Sequence, residues 1–190
     1  MMFPRQIGLK RAVCRNRNEW KEYLDRLNGL SSIYTSLYAF DEMEDDRKPK
    51  YDSAIMNCAW WDFDMESGGT LDDVKRDVAI LLDRLKWTDV RLVSTGRGFH
   101  VYQMFAKPVV GRAWAHRLDR YEKAMCEGLK TLDGVGYPEK MARIPDTFNP
   151  KRGHWAVMCD VAPFMVDPLG YKIPQIPDSA LSFWNPYTGI

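Results

Sequence analysis

The segment AIMNCAWWDFD, residues 54–64, carries the clearest structural signal in this sequence. It is apolar for most of its length, ends in two acids and is followed by Ser67-Gly68-Gly69, a pattern typical of a largely buried strand that stops at a turn. Side chains two positions apart on a strand share one face, so the carboxylates of Asp62 and Asp64 lie on the same face, on residues about 6.5 to 7 Å apart along the strand. That spacing lets both share one or two divalent cations with a bound phosphate, while a solvated strand end is the simpler alternative.

Helix and strand signals alternate on both sides of this segment, which predicts one α+β domain over residues 1–162. The predicted elements are, in chain order, a helix over 18–28, a strand over 32–40, a loop over 41–52, the strand over 54–64, a helix capped by Thr70, a hairpin of strands over 90–93 and 99–105, a helix over 112–132, and a strand over 154–161. The proline-rich stretch 163–190 predicts a surface strap, not a second domain.

Composition narrows the class of protein. The chain has 190 residues, with 27 basic and 26 acidic side chains and 45% hydrophobic residues. These values are ordinary for a globular domain and exclude a disordered tail or an acidic scaffold. A net charge of +1 gives no global attraction for nucleic acid, so such binding has to come from a local basic face.

The four cysteines stand far apart without a C-x-x-C pair, which predicts reduced thiols and no zinc site. Cys126, Cys159 and His154 are the set with the best prospect of converging in space. The N-terminal region lacks the apolar core of a signal peptide, and the chain has no run of about 18 apolar residues. We therefore expect a cytoplasmic protein with no membrane contact.

A second informative segment is STGRGFH, residues 94–100, between the two strands of the predicted hairpin. Its glycines permit close backbone approach to a bulky anion, its hydroxyls add donors, and Arg97 provides a guanidinium fork for phosphate. His100 begins the next strand, from which its imidazole can turn back toward the same anion. The alternative is a glycine-tolerant turn with a surface arginine and a hydrogen-bonded histidine.

A third segment, RIPDTFNPKR at 143–152, concentrates Arg143, Lys151 and Arg152 in a loop braced by prolines. Such a loop suits fixed contacts with phosphates. Taken alone, a solvated basic loop explains it more simply.

In their order and spacing, these segments resemble the archaeo-eukaryotic primase superfamily, which includes the small catalytic subunits of replicative primases and the primase-polymerases of plasmids and viruses. The resemblance covers about residues 3–160. Residues 61–64 match the family's hydrophobic-D-x-D motif, and residues 94–100 match S-G-x-G-x-H with one added residue. Leu132-Asp133 followed by 143–151 matches a hydrophobic residue and an acid before an R-x-P-x-S/T segment.

The resemblance implies a catalytic core in which a sheet like that of an RNA-recognition motif packs against a second small α/β unit, with the active site in the cleft between them. It implies two divalent metals, Mg²⁺ or Mn²⁺, held by Asp62, Asp64 and Asp133. The residues implied to bind the nucleotide's triphosphate are Ser94, Thr95, Gly96, Arg97, His100, Arg143 and Lys151.

Two assignments within the resemblance are less direct. The start PRQIG, residues 4–8, is similar to the family's P-R-E-x-G segment with Gln6 in place of glutamate, which directs Arg5 toward the site. The third acid is identified by its place before the basic segment, and Asp146 and Asp160 stay open as alternatives. The chain also lacks the clustered Cys and His of the zinc-binding stem that many relatives carry.

The activity implied is that of a DNA-templated nucleotidyltransferase, a primase-polymerase that makes or extends primers on single-stranded DNA from nucleoside triphosphates by two-metal phosphoryl transfer. A helicase or an accessory template-binding domain is a further implied partner. Two alternatives stay open: an end-joining or gap-filling polymerase of the same superfamily, and a non-catalytic domain like an RNA-recognition motif that binds nucleic acid or a nucleotide without turnover.

Overall fold

The computed structural model describes residues 2–86 and 89–161, which form the α+β fold that the sequence predicts. The elements are β1 (Arg5–Ile7), β2 (Ala12–Cys14), α1 (Arg17–Leu27), β3 (Tyr34–Ser36), β4 (Ala39–Phe40), β5 (Ala54–Asp64), α2 (Leu71–Arg84), β6 (Val90–Ser94), β7 (Gly98–Val110), α3 (Arg112–Met125), β8 (Leu132–Val135), β9 (Met141–Arg143), β10 (Thr147–Asn149) and β11 (His154–Cys159). The strap predicted at 163–190 lies outside the described residues. In the described part of the chain, no helix has the length and apolar character needed to cross a membrane.

The larger sheet has β5 and β7 at its centre. Its strand order is β10-β11-β6-β7-β5-β4, and β8 pairs with the same edge of β5 as β4 does, farther along the strand. Within it, β5, α2, β6, β7, α3 and β8 follow one another as a β-α-β-β-α-β unit with the strand order β8-β5-β7-β6. This is the arrangement of an RNA-recognition-motif sheet, so the predicted architecture of this unit is confirmed.

The two faces of this sheet differ because the side chains of β5 alternate. Trp61 and Phe63 are fully buried on the side of the helices, where the Trp61 indole donates a hydrogen bond to the carbonyl oxygen of Glu122 on α3 (2.9 Å). Asp62 and Asp64 therefore point to the opposite face.

The second unit is a smaller sheet with the order β2-β1-β3-β9, together with α1. Ile7, Ile33 and Ile144 form its buried core, against which Trp20 and Leu24 of α1 pack. Because β9 comes from the segment after β8, this sheet joins the N-terminal part of the chain to the start of the basic segment. Residues of both units line the cleft between the two sheets.

The long helix predicted over 112–132 is wrong in its last part. Helix α3 ends at Met125, the chain turns through Gly128 in the left-handed region (φ 80°), and β8 follows. Leu129 and Leu132, which extended the predicted helical stripe, pack on the core from this turn and strand. Asp133 therefore lies on a strand paired with β5, not in a loop after a helix.

Two further predictions are corrected in detail. The strand predicted over 32–40 consists of β3 and β4, which belong to different sheets because the chain passes from the second unit to the larger sheet between them. The basic segment predicted as a loop contains β10, which forms a hairpin with β11. The basic residues of this segment are thereby spread over a strand end and a hairpin turn.

Candidate active site

Asp62 and Asp64 stand at the end of β5, and Asp62 lies directly across from His100 on β7. Burial raises the pKa of Asp62 to about 7, and the charges of Asp133 and Asp64 add to this shift while Lys140 opposes it. The pKa of Asp64 is also raised, mainly by burial. The site thus holds carboxylates that are partly removed from water and repel each other.

A β-bulge brings Asp133 to the same cluster. Its two neighbours on β8 pair with consecutive residues of β5, Asp62 and Phe63, so Asp133 is an extra residue on the strand. Its carboxylate accepts a hydrogen bond from Ser67 Oγ (3.1 Å), and its charge raises the pKa of both Asp62 and Asp64. The three acids of the predicted metal site therefore lie close enough for their charges to interact.

The two alternatives for the third acid lie elsewhere. Asp146 is exposed in the turn between β9 and β10, and Asp160 is exposed after the end of β11. Of the three candidates, Asp133 is the one whose charge raises the pKa of Asp62. Proximity therefore favours Asp133.

The donor chemistry of this cluster suits the predicted metals, since Mg²⁺ and Mn²⁺ prefer carboxylate oxygens. Among residues 2–86 and 89–161, no three His, Cys, Asp or Glu side chains are arranged to hold an ion by themselves. Mg²⁺ is usually bound through one or two carboxylates, with water and substrate phosphates completing its shell. The cluster therefore fits ions that bind together with a nucleotide better than a closed protein cage.

His100 is buried beside the acids and is uncharged at neutral pH. Burial lowers its pKa to about 3, and the positive charge of Arg143 contributes. Its Nε2 is 3.5 Å from Asp62 Oδ1, and its Nδ1 is 3.5 Å from the hydroxyl oxygen of Tyr102. The contact with Asp62 is therefore not an ion pair, and the neutral ring keeps one N–H that can donate to a phosphate oxygen.

Arg143, the last residue of β9, is a buried cation with 4% of its surface exposed. Within the described residues, none of its three side-chain nitrogens has a hydrogen-bond partner, and the guanidinium lies 5.3 Å from the ring centroid of Tyr34. It lines a cavity of about 460 Å³ in the cleft. Burying an unpaired cation costs on the order of several kcal/mol, so this arrangement points to an anionic ligand.

Two more arginines, Arg5 and Arg91, line the same cavity, and no Asp or Glu of the described residues does. Arg5 donates to the carbonyl oxygens of Ser36 (2.6 Å) and Leu37 (3.1 Å), which fix its guanidinium on the cavity wall. The predicted orientation of Arg5 toward the cleft is thus observed. Arg91 was not among the residues predicted from the sequence. Its position on β6, directly across from Tyr102 of β7, is the feature that could have identified it.

The glycines of the turn at 94–98 are explained by contacts within the protein. A Cβ on Gly98 would overlap the carbonyl oxygen of Phe63, so only glycine lets β7 approach β5 here. Gly96 has a φ of 94° and packs against His154. Neither glycine requires an anion for its presence, and the predicted role of Gly96 in nucleotide binding stays a prediction.

The hydroxyl residues of this turn are directed differently from His100. Ser94 pairs with Phe99, the residue before His100. Because paired residues share a face and successive residues alternate, the Ser94 side chain lies on the opposite face of the sheet from His100. Its Oγ accepts a hydrogen bond from the backbone N–H of Gly96 (3.4 Å), and the backbone N–H of Thr95 closes the turn. The structure does not bring Ser94 toward Arg143.

Arg97 and Arg152 both bind Glu66, which follows the end of β5. Arg97 Nη1 is 3.2 Å from Glu66 Oε1, and Arg152 contacts the same oxygen. Lys151 and Arg152 both line a separate surface cavity with apolar residues of the second unit, but of the two it is Arg152 whose guanidinium contacts Glu66. The structure therefore brings Arg152, not Lys151, to the edge of the acid cluster, and Glu66 is a second residue that sequence reasoning missed.

No protein-family model and no curated protein sequence matches the chain. Among solved structures, the chain is similar to the polymerase domain of Ligase D from Mycobacterium tuberculosis in complex with DNA, with a TM-score of 0.47 and 16% identity over 80% of this chain. The chain spans 58% of the length of that structure's chain. The functional assignment therefore depends on the residues of the site itself.

The raised pKa of Asp62 predicts a pH-dependent stability. Because its pKa is about 7 in the folded protein and about 3.9 in an unfolded chain, the folded state binds more protons between these values. The free energy of unfolding should therefore fall as pH rises through this window, by on the order of 3 kcal/mol from this group. Denaturant titrations in EDTA at pH 5 and pH 7.5 measure the fall, and Asp62→Asn should make it smaller. An equal fall in both proteins would contradict the assignment.

Proposed function

We propose that this protein is a DNA-templated nucleotidyltransferase, a primase-polymerase that makes or extends primers on single-stranded DNA. The observation that carries the proposal is the buried guanidinium of Arg143, which has no hydrogen-bond partner among the described residues. Its positive charge lowers the pKa of His100, and His100 lies beside the three acids. In such a site the carboxylates can bind divalent metal ions and the nearby arginine can bind phosphate. This combination suits a complex of metal ions with a nucleoside triphosphate. A protein that only bound nucleic acid would have no need for carboxylates beside a phosphate site.

The side chains divide the work in this proposal. Asp62, Asp64 and Asp133 would hold two divalent cations, which when bound supply the Lewis acidity for attack of a 3′-hydroxyl on the α-phosphate and for release of pyrophosphate. Arg143 would pair with the phosphate oxygens through its planar fork. The neutral His100 would donate a hydrogen bond to the same group. The acids orient cations and need not remove a proton themselves.

The template side of the proposal is supported by two aromatic residues next to cations, one half-buried and one exposed. Phe148 and Trp155 face each other across the β10–β11 hairpin with ring centroids 5.4 Å apart, and Trp155 is 53% exposed. Lys151 and Arg152 lie in the turn of this hairpin. Bases of a single strand stack on such rings while cations contact the phosphates, so we assign the template strand to this hairpin.

Incorporation of nucleotides on a primer-free, single-stranded circular DNA tests the proposal. With Mn²⁺ or Mg²⁺ and each nucleotide set supplied separately, we expect labelled products that are absent in EDTA, because the acids cannot engage the triphosphate without cations. Extension that requires a recessed end with a 5′-phosphate would favour the gap-filling alternative. Tight nucleotide binding without incorporation on any template would favour a non-catalytic binding domain.

A further inference from the structure

A buried carboxylate on α2 holds the chain just before Asp133. Asp77 is 2% exposed, and its Oδ2 accepts hydrogen bonds from Lys130 N (2.8 Å), Thr131 N (2.9 Å) and Thr131 Oγ1 (3.0 Å). Its Oδ1 accepts from Arg76 Nη2 (3.1 Å) and Nε (3.3 Å), and this guanidinium supplies a positive charge. Three of the five bonds come from a two-residue segment, 130–131, that belongs to no helix or strand.

That segment is also attached to the end of β5. Thr131 is fully buried, and its carbonyl oxygen accepts a hydrogen bond from the backbone N–H of Asp64 (3.0 Å). Asp77, Thr131 and Asp64 thus form a continuous connection from α2 to one of the clustered acids. Asp133 follows Thr131 by two residues.

The connection fixes a register that the strands could otherwise lose. On β8, Gly134 pairs with Asp62 and Leu132 pairs with Phe63, which leaves Asp133 as the bulged residue. In a regular ladder, Asp133 would pair with Phe63 and share its face, which is fully buried on the side of the helices. A bulge next to a site re-aims a side chain, and it has to be held against slippage.

We propose that Asp77 is a positioning residue for the metal-binding carboxylates: by fixing Thr131, it holds the register in which Asp133 faces Asp62 and Asp64. The inference rests on the proposed function, because it takes these carboxylates to be metal ligands. Asp77 acts through Thr131 and the backbone of Asp64 and contacts neither metal nor nucleotide. Residues of this kind commonly change metal affinity about 10- to 100-fold when they are replaced.

Asp77→Asn tests the inference through metal binding measured without turnover. The amide replaces an acceptor by a donor, so it cannot satisfy the N–H groups of residues 130 and 131 while also accepting from Arg76. We expect the dissociation constant for Mn²⁺, measured by electron paramagnetic resonance in the presence of a non-hydrolysable nucleotide, to rise about tenfold. The nucleotide KM at saturating Mn²⁺ should change little, because Arg143 and His100 are unaffected.

A milder pair of variants covers the case in which Asp77→Asn does not fold. Thr131→Val removes the hydroxyl at nearly constant shape, whereas Thr131→Ser keeps it. We expect Thr131→Val to weaken Mn²⁺ binding and Thr131→Ser to restore it. In addition, Asp77→Asn should add little to the loss caused by Asp133→Asn, because both changes remove the same ligand.

Arg84→Gln provides the control for general destabilisation. Arg84 is a buried residue of the same helix that donates to the carbonyl oxygens of Met125 (2.6 Å) and Glu127 (3.0 Å). Arg84→Gln should lower the melting temperature without changing the affinity for Mn²⁺.

The inference is overturned if Asp77→Asn and Thr131→Val lower the melting temperature and leave Mn²⁺ binding unchanged. It is also overturned if the effects of Asp77→Asn and Asp133→Asn on Mn²⁺ binding are additive. A parent protein that binds Mn²⁺ but never incorporates nucleotides would refute the proposed function and leave the positioning role standing.

Discussion

Asp62→Asn and Asp64→Asn are each expected to reduce nucleotide incorporation at least about a hundredfold while leaving the protein folded, since losing about 3 kcal/mol of transition-state stabilisation has that effect. Both side chains lie on the cleft face of β5, and an amide cannot supply the negative charge that a divalent cation needs. The fold should persist, because burial and neighbouring acids already raise the pKa of both carboxyl groups. Single-turnover incorporation at saturating nucleotide and Mn²⁺, together with circular dichroism, measures the two effects.

Asp146→Asn is the matched control for these variants. Asp146 is exposed and has a left-handed backbone (φ 62°), a conformation that asparagine tolerates well. Its incorporation rate should stay close to that of the parent protein. If Asp62→Asn and Asp64→Asn also retained rates within a few-fold of the parent, the carboxylates would belong to an ordinary solvated strand end and the metal assignment would be lost.

The central part of the fold could be predicted from the sequence because its patterns are local. Strand β5 has the predicted bounds Ala54–Asp64, since a long apolar run closed by a turn leaves little ambiguity. Helix α2 begins after Thr70, whose side chain accepts from the backbone N–H of Asp73 (3.2 Å) while the Asp73 carboxylate accepts from the Thr70 backbone (2.9 Å). The shared face of Asp62 and Asp64 follows from strand alternation alone.

The rest of the fold depends on partners far away in the chain. Residues 126–132 continue an apolar helical stripe, but the edge of β5 pairs with a strand that begins at Leu132, and this pairing overrides the helical pattern. Where neither β4 nor β8 covers that edge, Glu122 accepts from the backbone N–H of Trp60 (2.8 Å) and the hydroxyl of Tyr38 donates to the carbonyl oxygen of Cys58 (3.2 Å). The sequence pattern does not show that this part of the β5 edge lacks a strand partner, so it could not predict that side chains would satisfy its backbone groups.

The candidate site was predictable in its residue types more than in its geometry. Arg143 and Lys151 belong to one basic segment, yet β9 buries the first in the cleft and the β10–β11 turn carries the second to another surface. The sequence selects Asp133 by its place before the basic segment, whereas the bulge at Asp133 depends on pairing with β5. Motif spacing thus selects residues, and tertiary pairing decides which of them meet.

Arg143→Met is expected to raise the nucleotide KM about 10- to 100-fold and at the same time to stabilise the protein without nucleotide. A charged hydrogen bond to phosphate contributes about 1.5 to 3 kcal/mol, which is the loss expected in binding. In the absence of ligand, the guanidinium has no hydrogen-bond partner among the described residues, so its desolvation is uncompensated apart from its contact with the Tyr34 ring. An apolar side chain of similar length avoids that cost, so the midpoint of denaturation should rise.

The opposite signs of these two effects separate an anion site from a structural role. If Arg143 served the fold, Arg143→Met would lower stability and leave nucleotide binding unchanged, and that outcome would remove the main support for the proposed function. Arg143→Lys refines the test, because it keeps the charge but loses the planar fork. It should retain the low stability of the parent protein without nucleotide and recover only part of the nucleotide affinity. Denaturant titrations with and without nucleotide measure the stability of each protein and its stabilisation by bound nucleotide on the same samples. The gain in stability on adding nucleotide should be largest for the parent protein.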